Sequence, residues 1–228
     1  MNRSIPVFFF LILFLFACEE GEILPGVSVE DCDGAVSLVR ATPARLYIGV
    51  EHTLILNAPD GNIDDLEVSI NDNSAANATL AGGDGAPWTI QPATPGELQL
   101  DVTDADGKQV GTTTFNVRRI PDPVARVSNS SGGSMSNGEF RAQGGVGAFL
   151  DNFEFDARCD ITGFELVYVA ARQDPIPVIN VGARYTSNAM NLIQRAKPGD
   201  LYYFTNVRAR CPGDVASREI NSMVFNIR

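Results

Sequence analysis

The chain has 228 residues, 44% of them hydrophobic and 20% charged, with 28 acidic against 17 basic groups. That size and apolar content suit one or two domains with a real core and exclude intrinsic disorder, while a formal charge of −11 argues against a nucleic-acid ligand. A single histidine, His52, serves Ser-His-Asp chemistry and multi-histidine zinc sites poorly, and no supporting motif accompanies it.

In chain order, Arg3 precedes an unbroken apolar run from Val7 to Ala17. About 20 apolar residues are needed to span a bilayer, so the run reads as the core of a secretory signal. Its end, Leu15-Phe16-Ala17-Cys18, resembles the lipobox of bacterial lipoproteins. That resemblance implies cleavage after Ala17 and lipid modification of Cys18, with the acyl chains as the anchor. The following Glu19-Glu20-Gly21-Glu22 is similar to acidic export signals of Bacteroidetes surface lipoproteins, and residues 18–35 read as an acidic tether.

A domain boundary is expected at Ile120-Pro121-Asp122-Pro123, where two prolines make a semi-rigid joint. It divides residues 36–119 from residues 120–228. From residue 18 to the joint there are 5 basic and 17 acidic groups, and beyond it 11 of each. The second half, richer in arginine, is therefore the expected docking half.

The first half alternates throughout. Leu66/Val68/Ile70, Leu98/Leu100/Val102 and Thr113/Phe115/Val117 follow period two, separated by Pro59-Asp60-Gly61-Asn62, Gly82-Gly83-Asp84-Gly85 and Asp104-Ala105-Asp106-Gly107. Short strands at turn spacing predict a β-sandwich. In the second half, Ser128 to Gly138 reads as a loop, followed by strand patterning over Phe153/Phe155/Ala157/Cys159/Ile161. The apolar parity then flips to Phe164/Leu166/Tyr168, which predicts a bulge at Thr162-Gly163. Ser187 is the expected cap of one short helix bearing Ala189, Leu192, Ile193 and Ala196, and Leu201–Cys211 and Met223–Ile227 read as strands. The expected class is all-β: two tandem sandwiches, the second carrying one short helix.

Cys159 and Cys211 both lie on the apolar parity of their segments. In an oxidising compartment they are the expected disulfide; the alternative is two separate buried thiols. Cys32 is left over. Asp104-Ala105-Asp106-Gly107 opens like a calcium loop, but its twelfth position is Phe115, so a hairpin turn is the better reading. His52 is expected at the surface or a strand end, and Trp88 in the core or, alternatively, as a carbohydrate platform. Acidic residues are plentiful, yet no pair stands out for glycoside hydrolysis. No catalytic residue, metal site or cofactor is expected.

Several segments together resemble the last two periplasmic domains of the GldM (PorM) family. They are Leu46-Tyr47-Ile48-Gly49-Val50, Phe115 to Ala125 with its Arg118-Arg119-Ile120-Pro121-Asp122-Pro123-Val124 joint, Leu150 to Asp156, Lys197-Pro198-Gly199-Asp200, Asn206-Val207-Arg208-Ala209 and Pro212-Gly213-Asp214. The similarity covers about residues 36–228. It implies immunoglobulin-like domains of a dimeric periplasmic shaft in the gliding and type IX secretion machinery of Bacteroidetes, with adhesive rather than catalytic work. It also implies protein partners in the envelope and a homodimer. The family's transmembrane helix and helical periplasmic domain are replaced here by the lipoprotein signal, and Glu51-His52-Thr53 stands where the family has Asn-Pro. An outer-membrane lipoprotein, on the periplasmic face or the cell surface, is the expected location. Arg208 and Arg210, on the outward parity of their strand, are the candidate partner-binding residues. The alternative function is a surface lipoprotein that binds glycan or another extracellular ligand.

Overall fold

The computed structural model describes residues 40–42, 45–56, 63, 65–83 and 86–228. Cys18, Cys32, the proposed signal and the acidic tether lie outside the described residues.

The first half forms eight strands: β1 (Arg40–Thr42), β2 (Leu46–Tyr47), β3 (His52–Ile55), β4 (Glu67–Ile70), β5 (Ala78–Gly83), β6 (Ala86–Pro92), β7 (Gly96–Thr103) and β8 (Gln109–Arg118). They make two four-stranded sheets, ordered β1-β3-β6-β5 and β2-β8-β7-β4, with β2 parallel to β8 and the other pairs antiparallel. Period-two alternation turns Leu98, Leu100 and Val102 inward, where they meet Leu46, Leu54, Val68 and Ile90. Each such side chain stabilises the fold by about 1.5–3 kcal/mol relative to exposure. Asp104 closes the β7–β8 hairpin: its carboxylate accepts from the backbone N–H groups of Asp106 and Lys108 at 3.0 and 2.9 Å. The carboxylate is thus engaged in a turn.

The second half contains β9 (Val124–Arg126), β10 (Gly133–Met135), α1 (Asn137–Arg141), β11 (Gly147–Phe149), β12 (Asp160–Val169), β13 (Ile176–Val181), α2 (Ser187–Ile193), β14 (Leu201–Arg210), β15 (Arg218–Glu219) and β16 (Met223–Ile227). The main sheet runs β10-β16-β14-β12-β13, with β15 paired to β14, and β9 and β11 form a separate ribbon. The core on the inner face of the main sheet takes in both helices and the ribbon. Phe140 of α1 stacks 4.6 Å from Tyr202, and Ala189, Leu192 and Ile193 of α2 join the same core. The whole is all-β in class, the first half a sandwich of two sheets and the second a sheet whose facing layer is partly helical.

Three local features differ from the sequence reading. The Ser128–Gly138 segment contains β10 and opens α1, a five-residue helix capped by Ser136, so this half has two short helices. The cap of α2 is Thr186 rather than Ser187. The Thr186 N–H donates to Asn180 Oδ1 at 2.7 Å, which holds Thr186 extended and makes Ser187 the first helical residue. Residues 153–159 alternate in burial but are not strand; β12 starts only at Asp160. The β12–β14 register shifts at Ile161/Gly163 and again at Gly163/Glu165, which reverses the inward parity between Ile161 and Phe164.

Two buried polar residues organise this half. Asn180 donates to the carbonyls of Gly182 and Arg184 at 3.0 and 2.9 Å while accepting from Thr186, and so shapes the turn into α2. Asp200 accepts from the Tyr168 hydroxyl and the Lys197 N–H, both at 3.0 Å. Burial first, then the Asp200 carboxylate, pushes the Tyr168 hydroxyl above its ordinary value, which keeps it a donor.

Candidate functional site

The two halves meet in a packed joint. Ile120 is 1% exposed and sits with Cys159 and Cys211 in a small third core, against Tyr47, Val50, Leu150, Phe153 and Ala157. Cys159 and Cys211 are joined by a disulfide. They follow directly from the Asp160–Arg210 pair of the β12–β14 ladder, so the bond closes the end of that ladder beside the joint.

Next to it, four rings cross from one half to the other. Tyr47 lies 4.9 Å from Phe153 and 5.3 Å from Phe155, and His52 lies 4.9 Å from Phe155. Phe153 and Phe155 fill this joint, which explains why residues 153–157 alternate in burial outside any strand. His52 opens β3, as a strand-end reading has it, but it is 1% exposed rather than on the surface. Its Nε2 accepts the Tyr47 N–H at 3.0 Å, so the proton belongs on Nδ1, which has no hydrogen-bond partner among the described residues. Burial holds the ring's pKa below 6.5, because a charged imidazole would be desolvated here.

Behind the rings, two glycine turns interlock. Gly49 has φ +72° and Gly213 has φ +76°, and neither has room for a side chain. A Cβ on Gly49 would fall 2.6 Å from the Pro212 carbonyl carbon, and one on Gly213 would fall 2.7 Å from Ile48 Cγ1. Contact this close between backbones is open only to glycine.

An ionic cluster completes the joint. The Asp214 side chain is 1% exposed; Arg119 pairs with it at 3.0 Å and Arg218 at 3.1 Å, and the Cys211 N–H donates to it at 2.9 Å. Arg218 also donates to the Ile120 carbonyl at 2.9 Å and to Asp122 at 2.7 Å. Desolvation pushes the Asp214 carboxyl upward, but the Cys211 N–H and the two arginines outweigh it and hold the pKa below the ordinary carboxylate value. Sequence reasoning missed this cluster. Its available signal was Arg119 and Asp122 flanking the joint, together with an Asp three residues after Cys211.

Arg208 and Arg210 are exposed on the outer face of β14, opposite Glu219 of β15 and Asp160 of β12 respectively. Arg210 donates to the Asp214 carbonyl at 3.1 Å. Trp88 is half-buried against the first core and lines an apolar groove of about 410 Å³ with Leu54, Leu56, Leu66 and Pro87; among the described residues Thr53 adds a hydroxyl beside the indole. No cluster that could hold a metal ion exists among the described residues, nor any helix long and apolar enough to cross a membrane.

Residues 121–228 match the family model described as the GldM C-terminal domain. No curated protein matches the chain. Among solved structures, the Yersinia pseudotuberculosis adhesin InvE is 16% identical, covering 85% of this chain and 60% of its own, with a TM-score of 0.26. The Bacteroides ovatus mixed-linkage glucan utilization locus protein SGBP-B, solved in complex with a mixed-linkage heptasaccharide, is 10% identical, covering 86% and 46%, with a TM-score of 0.25. Murine CEACAM1b is 11% identical, covering 83% and 98%, with a TM-score of 0.26. The chain thus spans less than two thirds of the first two structures, and at these scores nothing of their function is carried over.

Proposed function

We propose that this protein is a non-enzymatic lipoprotein of the cell envelope that serves as a protein-binding and assembly module of gliding-motility and type IX secretion machinery. The observation that carries the reading is the match of residues 121–228 to the GldM C-terminal domain. The packed joint supports it. Four rings, the Arg119–Asp214 pair and two interlocked glycine turns hold the halves together, beside a disulfide that braces the second half, as a stiff pair that suits a part that bears load.

In this reading residues 36–119 and 120–228 are two domains, Cys18 carries the lipid, and the anchor holds the chain at the outer membrane. Its partners are envelope proteins and a second copy of itself. Arg208 and Arg210 are its charged docking points, because both are exposed and in no ion pair among the described residues, whereas Arg119 and Arg218 are engaged by Asp214 and Asp122. Glycan binding is the alternative reading, with the Trp88 groove as its platform.

The test is an affinity pull-down of the full chain from cross-linked cells, beside Cys18→Ala and Arg208→Glu/Arg210→Glu variants. Recovery of secretion or gliding components, reduced in both variants, is the expected result. Recovery of glycan or unrelated surface proteins instead would overturn the reading.

A further inference from the structure

Strand β13 is the outermost strand of the main sheet, paired only with β12 among the described residues. The Gly182 N–H donates to the Thr162 carbonyl at 2.9 Å, and Gly163 stands opposite Val181. An antiparallel ladder alternates, so the even-numbered residues of β13 turn their backbone groups to β12. Pro177, Ile179 and Val181 turn theirs to the open edge. Pro177 lacks an N–H and sits on that side, where none of the ladder's bonds is lost.

The side chains of the same residues are unusually bare. Ile179 is 80% exposed and Val181 76%. On the outer face Ile179 stands opposite Glu165, and Pro177 opposite Val167, beyond which lie half-buried Tyr203 and Val224, the last 44% exposed. The outward residues of β13 itself are apolar and uncharged; the edge carries a proline but no lysine, and no strand covers it among the described residues.

The edge is complementary to itself. Asp174 precedes the strand and Arg184 follows it, both exposed and neither in an ion pair among the described residues. A two-fold axis through Ile179 brings the Asp174 end of one copy to the Arg184 end of the other. In that register Ile179 exchanges two N–H···O=C bonds with its counterpart. The Val181 N–H of each copy meets the Pro177 carbonyl of the other, while the Val181 carbonyl, which faces a proline nitrogen, gains no bond. Sliding by two residues in either direction breaks the charge match, setting Asp174 opposite Thr186 or opposite Gly182.

We propose that β13 pairs antiparallel with β13 of a second copy of this chain, in the register that sets Ile179 opposite Ile179, joining two main sheets into one. The proposal rests on the homodimer of the reading above and names its surface. A hydrogen-bonded antiparallel pair holds its Cα atoms about 5.5 Å apart, within disulfide reach.

The full chain, with Cys32→Ser to remove that thiol, is expressed with Ile179→Cys added and run on non-reducing gels. A band of twice the chain's mass that reductant abolishes is expected, and Val224→Cys, on the same face but three strands away, should give none. Light scattering of the detergent-purified protein supplies the independent arm: the parent should be a dimer, and Ile179→Lys should convert it to monomer with unchanged β circular dichroism. A dimeric parent with no Ile179→Cys cross-link, with equal cross-linking at Val224→Cys, or with a dimeric Ile179→Lys variant overturns the surface and leaves the homodimer standing. A monomeric parent overturns both.

Discussion

The two halves solve the same packing problem with different materials. The first buries an aliphatic core between two sheets, with Leu46, Ile48, Leu54, Ile90, Leu98 and Leu100 all nearly free of solvent. The second packs rings, with Phe140, Phe164, Tyr202, Phe204 and Phe225 in mutual contact, and pins its turns with buried Asn180 and Asp200. An aliphatic sandwich needs only period and size. An aromatic core with polar pins needs particular groups in particular places, so single residues matter more in it.

The contrast can be broken most strongly at Phe204, which is fully buried among Phe140, Phe164 and Phe225. Phe204→Ala should cost about 3–5 kcal/mol in denaturant unfolding. The chain's single tryptophan, Trp88, lies in the first half, so its fluorescence reports that half alone. If the joint couples the halves, the Trp88 transition shifts together with circular dichroism; an unmoved Trp88 transition would show them to be independent.

Replacing both Cys159 and Cys211 by Ser opens a loop spanning 52 positions, which the chain-entropy treatment values at about 4 kcal/mol. Loss of the second half's stability with the Trp88 signal last to change is the expected order. Gly49→Ala acts on the turn after β2 and is directed at the joint: left-handed alanine costs about 1–2 kcal/mol before the contact with Pro212 is counted. The expected outcome is one unfolding transition split into two, read by calorimetry.

Acid gives the smallest and most selective effect. The His52 pKa is held below 6.5 in the fold, so stability is full above that value and declines as pH falls from 6.5 through the folded value. The Asp214 pKa is held below 3.8, so its contribution is present above 3.8 and is lost as pH falls through its own lower value. His52→Gln should flatten the first window in a pH series of melting temperatures and leave the second.

Much of this was legible because alternation is a local signal. Leu98/Leu100/Val102 and the parity flip across Gly163 declare which way each side chain faces, and the inward parity of Cys159 and Cys211 could be read in the same way. What escaped had its cause elsewhere in the chain. Strand β13 reads poorly because Ile179 and Val181 are apolar on the side that faces out, which erases the alternation. Helix α1 commits a single side chain, Phe140, to the core and hides inside Ser/Gly/Asn-rich sequence. His52 carries no mark of burial; the rings that cover it lie about a hundred residues away in Phe153 and Phe155. The joint as a whole is a long-range object, and neither flank announces it alone.

That distance sets an order of assembly. The socket that receives the Ile48-Gly49 turn is built from Pro212 and Gly213, held in place by Asp214 and by a cysteine bonded to residue 159. A chain emerging from its amino end can close the first sandwich early, yet the surface that grips it appears only when residues 212–214 follow. The first half therefore waits on the second, and the stiff pair exists only once both have emerged.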